Sequence, residues 1–233
     1  MYIDGFNLYH ALKQKIGDPN SSWTKKYQRC DFRALGKQFI QEDEQLCKVY
    51  FFTAYAEWDI EARKRHEVYN SALRKMWVDI VLWKFTQITK KFIKDKNWLI
   101  DIKFPKWEIL MGKNPVIPQE LIFTTFEEKE TDVNLALKIF EDAFFDNYDR
   151  AIIISGDSDI IPAIATIRRL SKKWKIKQKI FTSLLIPWTK GKMMKRACNE
   201  VLQISGENME NSLLPEQVEV SPWVIIKKPP SWN

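Results

Sequence analysis

Apolar positions along the chain fall into two periods. Short runs rich in Val, Ile, Phe and Tyr occupy residues 2–3, 48–54, 78–83 and 151–154, with further strand-like regions at 176–186 and 201–204. The run at 151–154 stops abruptly at Ser155-Gly156. Such runs, bounded by turn residues, predict strands buried on both faces of a sheet.

Between these runs the spacing turns helical. Leu8, Ala11, Leu12 and Ile16 share one face of a helix that Gly17 to Asn20 should end. Asp31 is placed to cap a second helix carrying Phe32, Leu35 and Phe39. A long helix is predicted at 59–77, with Ile60, Tyr69, Leu73 and Met76 inward. Val133, Ala136, Leu137, Phe140, Ala143 and Phe144 form a helical stripe, with Thr131 as its expected N-cap. Ile160, Ile164, Ile167 and Leu170 mark the next helix, whose first turn tolerates Pro162. A short basic helix is expected at 190–198.

Strands alternating with helices predict a mostly parallel sheet with helices on both faces. The span 86–126 breaks the pattern and reads as an insertion within a domain covering 1–211. Residues 92–93 and 98–102 flank Lys94-Asp95-Lys96-Asn97, a hairpin signal; 112–118 reads as a loop and 120–126 as another strand. From 212 to 233, four prolines and two tryptophans suggest a C-terminal tail or strap.

In a parallel sheet every strand's carboxyl end lies along one edge, where such folds bind ligands. Asp4 and the pair Asp157/Asp159 are therefore on one edge, and they meet if the strands at 2–3 and 151–154 are neighbours. Asp132 opens a helix and can point at the same edge. Crowded carboxylates cannot all stay ionised without a compensating cation. Oxygen ligands without Cys or His select Mg²⁺ or Mn²⁺, and such a site suits phosphodiester hydrolysis. Each carboxylate alone has a simpler reading: Asp4 in a turn, Asp132 as a first-turn acid, Asp157 and Asp159 as loop and cap residues. Only their joint arrangement argues for a site. Asn7 either caps the first helix or orients a carboxylate, and Ser155 either closes the turn or supports the site. Glu127, Glu128 and Glu130 read as a solvated loop.

Charge adds a partner class. The net charge of +7 and pI near 9.1 suit a polyanion. Lys190, Lys192, Lys195 and Arg196 follow a strand's carboxyl end and are the best-placed phosphate contacts. The basic run from Arg168 to Lys179 begins near the far end of its helix and reads as a solvated face. Cys30, Cys47 and Cys198 match no metal spacing, and with only two histidines a zinc site is disfavoured. Free thiols and the lack of any long apolar run predict a cytoplasmic protein with no membrane partner.

Three blocks carry a family resemblance. Ile3-Asp4-Gly5-Phe6-Asn7-Leu8, then Glu128-Lys129-Glu130-Thr131-Asp132-Val133, then Ile154-Ser155-Gly156-Asp157-Ser158-Asp159-Ile160-Ile161-Pro162 resemble the signature blocks of NYN domains. These are PIN-like nucleases of the kind found in LabA-type bacterial proteins. The resemblance spans residues 1–205 and implies a three-layer α/β/α fold with an acidic site that binds Mg²⁺ or Mn²⁺ and acts on RNA. It carries over Asp4, Asp132, Asp157 and Asp159 as catalytic and metal-binding positions, with Asn7 and Ser155 in support. The middle block of the family reads Lys-Gly-x-Asp, and Glu130 stands in the glycine position. The expected function is a metal-dependent ribonuclease acting on single-stranded or structured RNA. The alternative is a non-catalytic RNA-binding or regulatory protein that keeps the acidic pocket.

Overall fold

The computed structural model describes residues 1–93, 120–128, 130–173, 175–187 and 191–228. Two compact units emerge, Phe85–Glu128 and the remainder of the chain. In the larger unit, β1 (Tyr2–Asp4) leads into α1 (Gly5–Ile16), a 3₁₀ turn (Lys25–Arg29) and α2 (Phe32–Lys37). Then come β2 (Tyr50–Ala54), α3 (Ile60–Lys75) and β3 (Asp79–Trp83). The smaller unit is an antiparallel pair of β4 (Phe85–Ile93) and β5 (Glu120–Glu128), with Phe85 opposite Glu128 and Ile93 opposite Glu120. The chain continues with α4 (Thr131–Phe144), β6 (Arg150–Ile154), α5 (Ile161–Lys172), β7 (Ile180–Leu185), α6 (Lys192–Ala197) and β8 (Glu200–Gln203). It closes with α7 (Gly206–Glu210) and the hairpin strands β9 (Gln217–Ser221) and β10 (Val224–Lys227).

Six strands form one parallel sheet in the order β3-β2-β1-β6-β7-β8. Successive residues of each strand feed opposite cores, as the two-residue period of a strand requires. Ile3, Phe51, Ile152 and Ile154 join Leu8, Leu12, Leu35 and Leu73 on one face. Tyr2, Phe52, Ala151 and Ile153 join Leu135, Ile139, Ile164 and Ile167 on the other. The architecture is a three-layer α/β/α sandwich. The strand order reverses between β1 and β6, which places a crevice above their carboxyl ends.

Several details depart from what the residue pattern predicts. The stripe expected to bury α4 straddles two faces. The inner one is Leu135, Ile139 and Ala143, whereas Val133, Leu137 and Phe144 are exposed. Asp142 turns inward and accepts a hydrogen bond from the Tyr2 hydroxyl at 2.7 Å, so the inner face is not purely apolar and periodicity alone misplaces it. The outer face of α4 borders a cavity of about 550 Å³ beside the edge strand β3, lined by Phe52, Val81, Trp83, Leu137 and Phe144. Ile60 is exposed because α3 buries its later turns, through Tyr69, Ala72 and Leu73.

Residues 212–228 are not a tail. Leu214 and Val218 enter the core. Leu214 and Arg29 exchange hydrogen bonds, the Leu214 N–H donating to the Arg29 carbonyl and the Arg29 guanidinium to the Leu214 carbonyl. Pro215 and Pro222 sit before and between β9 and β10, where a missing N–H costs no ladder bond. The expected strand at 98–102 and loop at 112–118 lie outside the described residues, as do Pro229, Pro230 and Trp232. Residues 85–93 pair with 120–128, and Glu127 and Glu128 belong to β5 rather than to a loop. No helix among the described residues is long and apolar enough to cross a membrane.

Candidate active site

The site is built where β1 and β6 end side by side. Asp4 closes β1 and caps α1, its Oδ1 accepting from the Asn7 N–H at 2.9 Å. The turn from strand into helix is immediate and leaves no room for a side chain at residue 5. A Cβ on Gly5 would lie 2.6 Å from the Phe52 carbonyl oxygen and 2.7 Å from the Phe51 ring.

The register Ile3↔Ile154 brings Ser155 next to Asp4. Both are buried. The Ser155 hydroxyl donates to Asp4 Oδ2 at 2.9 Å and accepts from the Asp157 N–H at 3.0 Å. Asp157 Oδ1 in turn accepts from the Asp159 N–H at 3.0 Å. From the other side, Asn7 Oδ1 accepts from the Gly156 N–H at 2.9 Å. The loop that follows β6 is therefore tied down by the two polar side chains of the Asp4–Asn7 turn. The Ser155 side chain bonds the Asp4 carboxylate, and the Asn7 side chain bonds the backbone of the loop that bears Asp157.

Asp132 arrives from the first turn of α4. One carboxylate oxygen each from Asp132, Asp157 and Asp159 lie within 4.8 Å of one another. Burial pushes the Asp132 carboxyl up to about 6, and the negative charges of Asp4, Asp157 and Asp159 add to the rise. A helix N-terminus favours an anion; here burial and like charge outweigh it. Asp4 contributes to this field, but its oxygens stand outside the closest trio and serve the α1 cap and Ser155.

Thr131 is not the cap of α4. Glu130 holds that position with φ 68°, in the left-handed region, and Thr131 is the first helical residue. Thr131 Oγ1 is buried with no hydrogen-bond partner among the described residues. The left-handed φ explains why glycine suits position 130.

Of the basic residues, Lys192, Lys195 and Arg196 are exposed on α6, which follows the carboxyl end of β7; Lys190 lies outside the described residues. Three of the seven basic residues in the run from Arg168 to Lys179 are occupied elsewhere. Arg168 bonds Asn199, while Lys177 and Lys179 pair with Asp146. One feature the sequence reading passed over is the exposed face of α1, which carries Phe6, Tyr9 and His10. Aromatic residues at helical spacing on the side away from Leu8 and Leu12 were the available signal.

Residues 1–198 match the family profile described as NYN domain. A curated relative from Pseudomonas putida, 6-hydroxy-3-succinoylpyridine 3-monooxygenase HspA, is 48% identical over 185 residues, covering 72% of this chain and 54% of the relative. The chain thus spans about half the length of that protein. Among solved structures, a protein of unknown function from Vibrio parahaemolyticus is similar at a TM-score of 0.48 and 17% identity, over 91% of this chain and 93% of that one.

Proposed function

The chain belongs to the NYN domain family of PIN-like nucleases, and from that premise we propose that it is a ribonuclease cutting RNA phosphodiester bonds with the help of Mg²⁺ or Mn²⁺. The observation that carries this reading is the convergence of Asp132, Asp157 and Asp159, oxygens within 4.8 Å, over buried Asp4. The donor set is all carboxylate, which suits a hard divalent cation. Burial raises the Asp132 carboxyl, the like charges of Asp4, Asp157 and Asp159 add to the rise, and a cation would relieve that crowding. When bound, such a cation lowers the pKa of a water and offsets charge on the phosphate.

The protein's own groups divide the remaining work. Asp132, Asp157 and Asp159 would hold the cation. Asp4 positions the loop through Ser155, and Asn7 does so through Gly156. Lys192, Lys195 and Arg196 supply phosphate contacts on the same sheet edge. The free thiols of Cys30, Cys47 and Cys198 suit a reducing cytoplasm.

A second reading comes from the relative's name, hydroxylation of a substituted pyridine ring. That chemistry needs dioxygen and a reductant, work that cofactors carry. One experiment separates the readings. The purified chain is given end-labelled RNA with Mg²⁺ or Mn²⁺, and separately 6-hydroxy-3-succinoylpyridine with reduced nicotinamide nucleotide in an oxygen electrode. RNA fragments that vanish in EDTA support the nuclease. Oxygen uptake dependent on the pyridine, with intact RNA, supports the oxygenase. Metal-stabilised RNA binding with neither reaction supports a regulatory protein.

A further inference from the structure

The exposed side of α1 has a composition that neither the core nor the metal site explains. Phe6, Tyr9, His10 and Lys13 stand at helical spacings of three and four, so they share one face. The opposite face, Leu8, Ala11 and Leu12, is buried, which fixes the helix's rotation. Phe6 is 42% and Tyr9 47% exposed. Their rings are braced edge-on by His10, with centroids 4.4 Å from Phe6 at 70° and 5.5 Å from Tyr9 at 79°. Lys13 Nζ lies 5.9 Å from the Tyr9 centroid. The whole helix contains no Asp or Glu, and Lys15 follows Lys13.

The stripe begins at the reaction site. Phe6 is in the first turn of the helix that Asp4 caps, and its neighbour Asn7 holds the loop bearing Asp157. We propose that Phe6, Tyr9, His10 and Lys13 form a stacking track that leads single-stranded RNA into the carboxylate site, bases on the rings and backbone toward Lys13. This rests on the nuclease reading for the substrate's class. Interleaved rings and cations suit single strands because every base has a π-face, whereas a duplex hides its bases in the stack. The track gives preference for unpaired RNA and sets which nucleotides flank the cut.

The test measures binding and cleavage separately. Anisotropy of a short fluorescein-labelled oligouridylate is recorded in EDTA with wild type, Phe6→Ala, Tyr9→Ala, Phe6→Trp and Tyr9→Phe. Cleavage of the same RNA is followed in Mn²⁺. Each alanine variant should weaken binding by about tenfold, from the worth of one base–ring stack. The aromatic replacements should restore it, and an abasic version of the oligonucleotide should bind wild type and alanine variants alike. Both alanine substitutions are at surface positions, so their melting transitions should match wild type.

Alanine variants that bind within twofold of a wild type that cleaves would overturn the track and leave the nuclease intact. Loss of binding in those variants, with aromatic rescue but no cleavage by any form, would uphold the track and defeat the nuclease. Failure of wild type to bind the single strand would overturn the track.

Discussion

The Ser155 hydroxyl donates to the Asp4 carboxylate at 2.9 Å, joining residues 151 positions apart in the chain. The bond exists because β1 and β6 are parallel neighbours, and it converts a sheet register into the position of the loop that bears Asp157. Ser155 also accepts the Asp157 N–H, so one hydroxyl links the strand-end acid to the loop acid.

Ser155→Ala removes a donor from a buried carboxylate and an acceptor from a backbone N–H. Leaving such groups unsatisfied costs about 1–3 kcal/mol. Urea unfolding should show a loss of that size, together with a slower cleavage rate. Ser155→Thr should recover much of both if its hydroxyl keeps the bond. A Ser155→Ala variant as stable as wild type would show that the link carries no load.

Asp132 makes a prediction about pH. Its folded carboxyl is raised to about 6 from an ordinary 3.8. Between those values the folded chain holds a proton that the unfolded chain has released, so this group's contribution to stability falls as pH rises from about 4 to about 6. Above that window the charged, crowded form is a standing penalty. In EDTA, Asp132→Asn should therefore melt higher than wild type at neutral pH, and the gap should close toward pH 4. Adding Mn²⁺ should raise wild type more than the variant. A gap independent of pH would exclude titration of Asp132 as its source.

Glu130 sits at φ 68°. A left-handed backbone costs a side-chain-bearing residue about 1 kcal/mol, a cost glycine does not carry. Glu130→Gly should raise stability by about that amount in chemical denaturation and leave cleavage at or above wild type. Destabilisation would mean that the Glu130 side chain has a compensating role.

Helix α4 separates burial from mere apolarity. Ile139 is fully buried and Leu137 is 59% exposed. Ile139→Ala should cost about 2–5 kcal/mol, and Leu137→Ala less than about 1. Equal losses would place both residues in the core.

These contrasts show what could be read before folding. The strands and the convergence of Asp157 with Asp4 followed from apolar runs ending in turn residues, because a parallel sheet puts all carboxyl ends on one edge. The family blocks agreed, and the NYN match extends over residues 1–198. What escaped had identifiable physical causes. α4 has two apolar sides, and only packing against β1 and β2, with Tyr2 satisfying Asp142, selects one. Prolines at 215 and 222 suggested a tail or strap; Pro215 precedes β9 and Pro222 lies in the turn to β10, while Leu214 and Val218 supply burial. The antiparallel hairpin of the insertion was legible in its alternating runs, whereas the pairing of 85–93 with 120–128 was not, because the two strands are distant in sequence. The hydrogen bonds that tie Asp4 to Asn7 and Ser155 are ones that no spacing reveals.

The most direct measurement is single-turnover cleavage of end-labelled RNA by wild type and Asp157→Asn while Mn²⁺ is titrated. Asparagine keeps an oxygen that can accept the Asp159 N–H, so the loop should persist and the melting temperature should match or exceed that of wild type. The account predicts a rate that saturates with Mn²⁺ in wild type, falls to background in EDTA, and stays at background for Asp157→Asn at every Mn²⁺ concentration. Undiminished cleavage in EDTA, or equal cleavage by the variant, would contradict it.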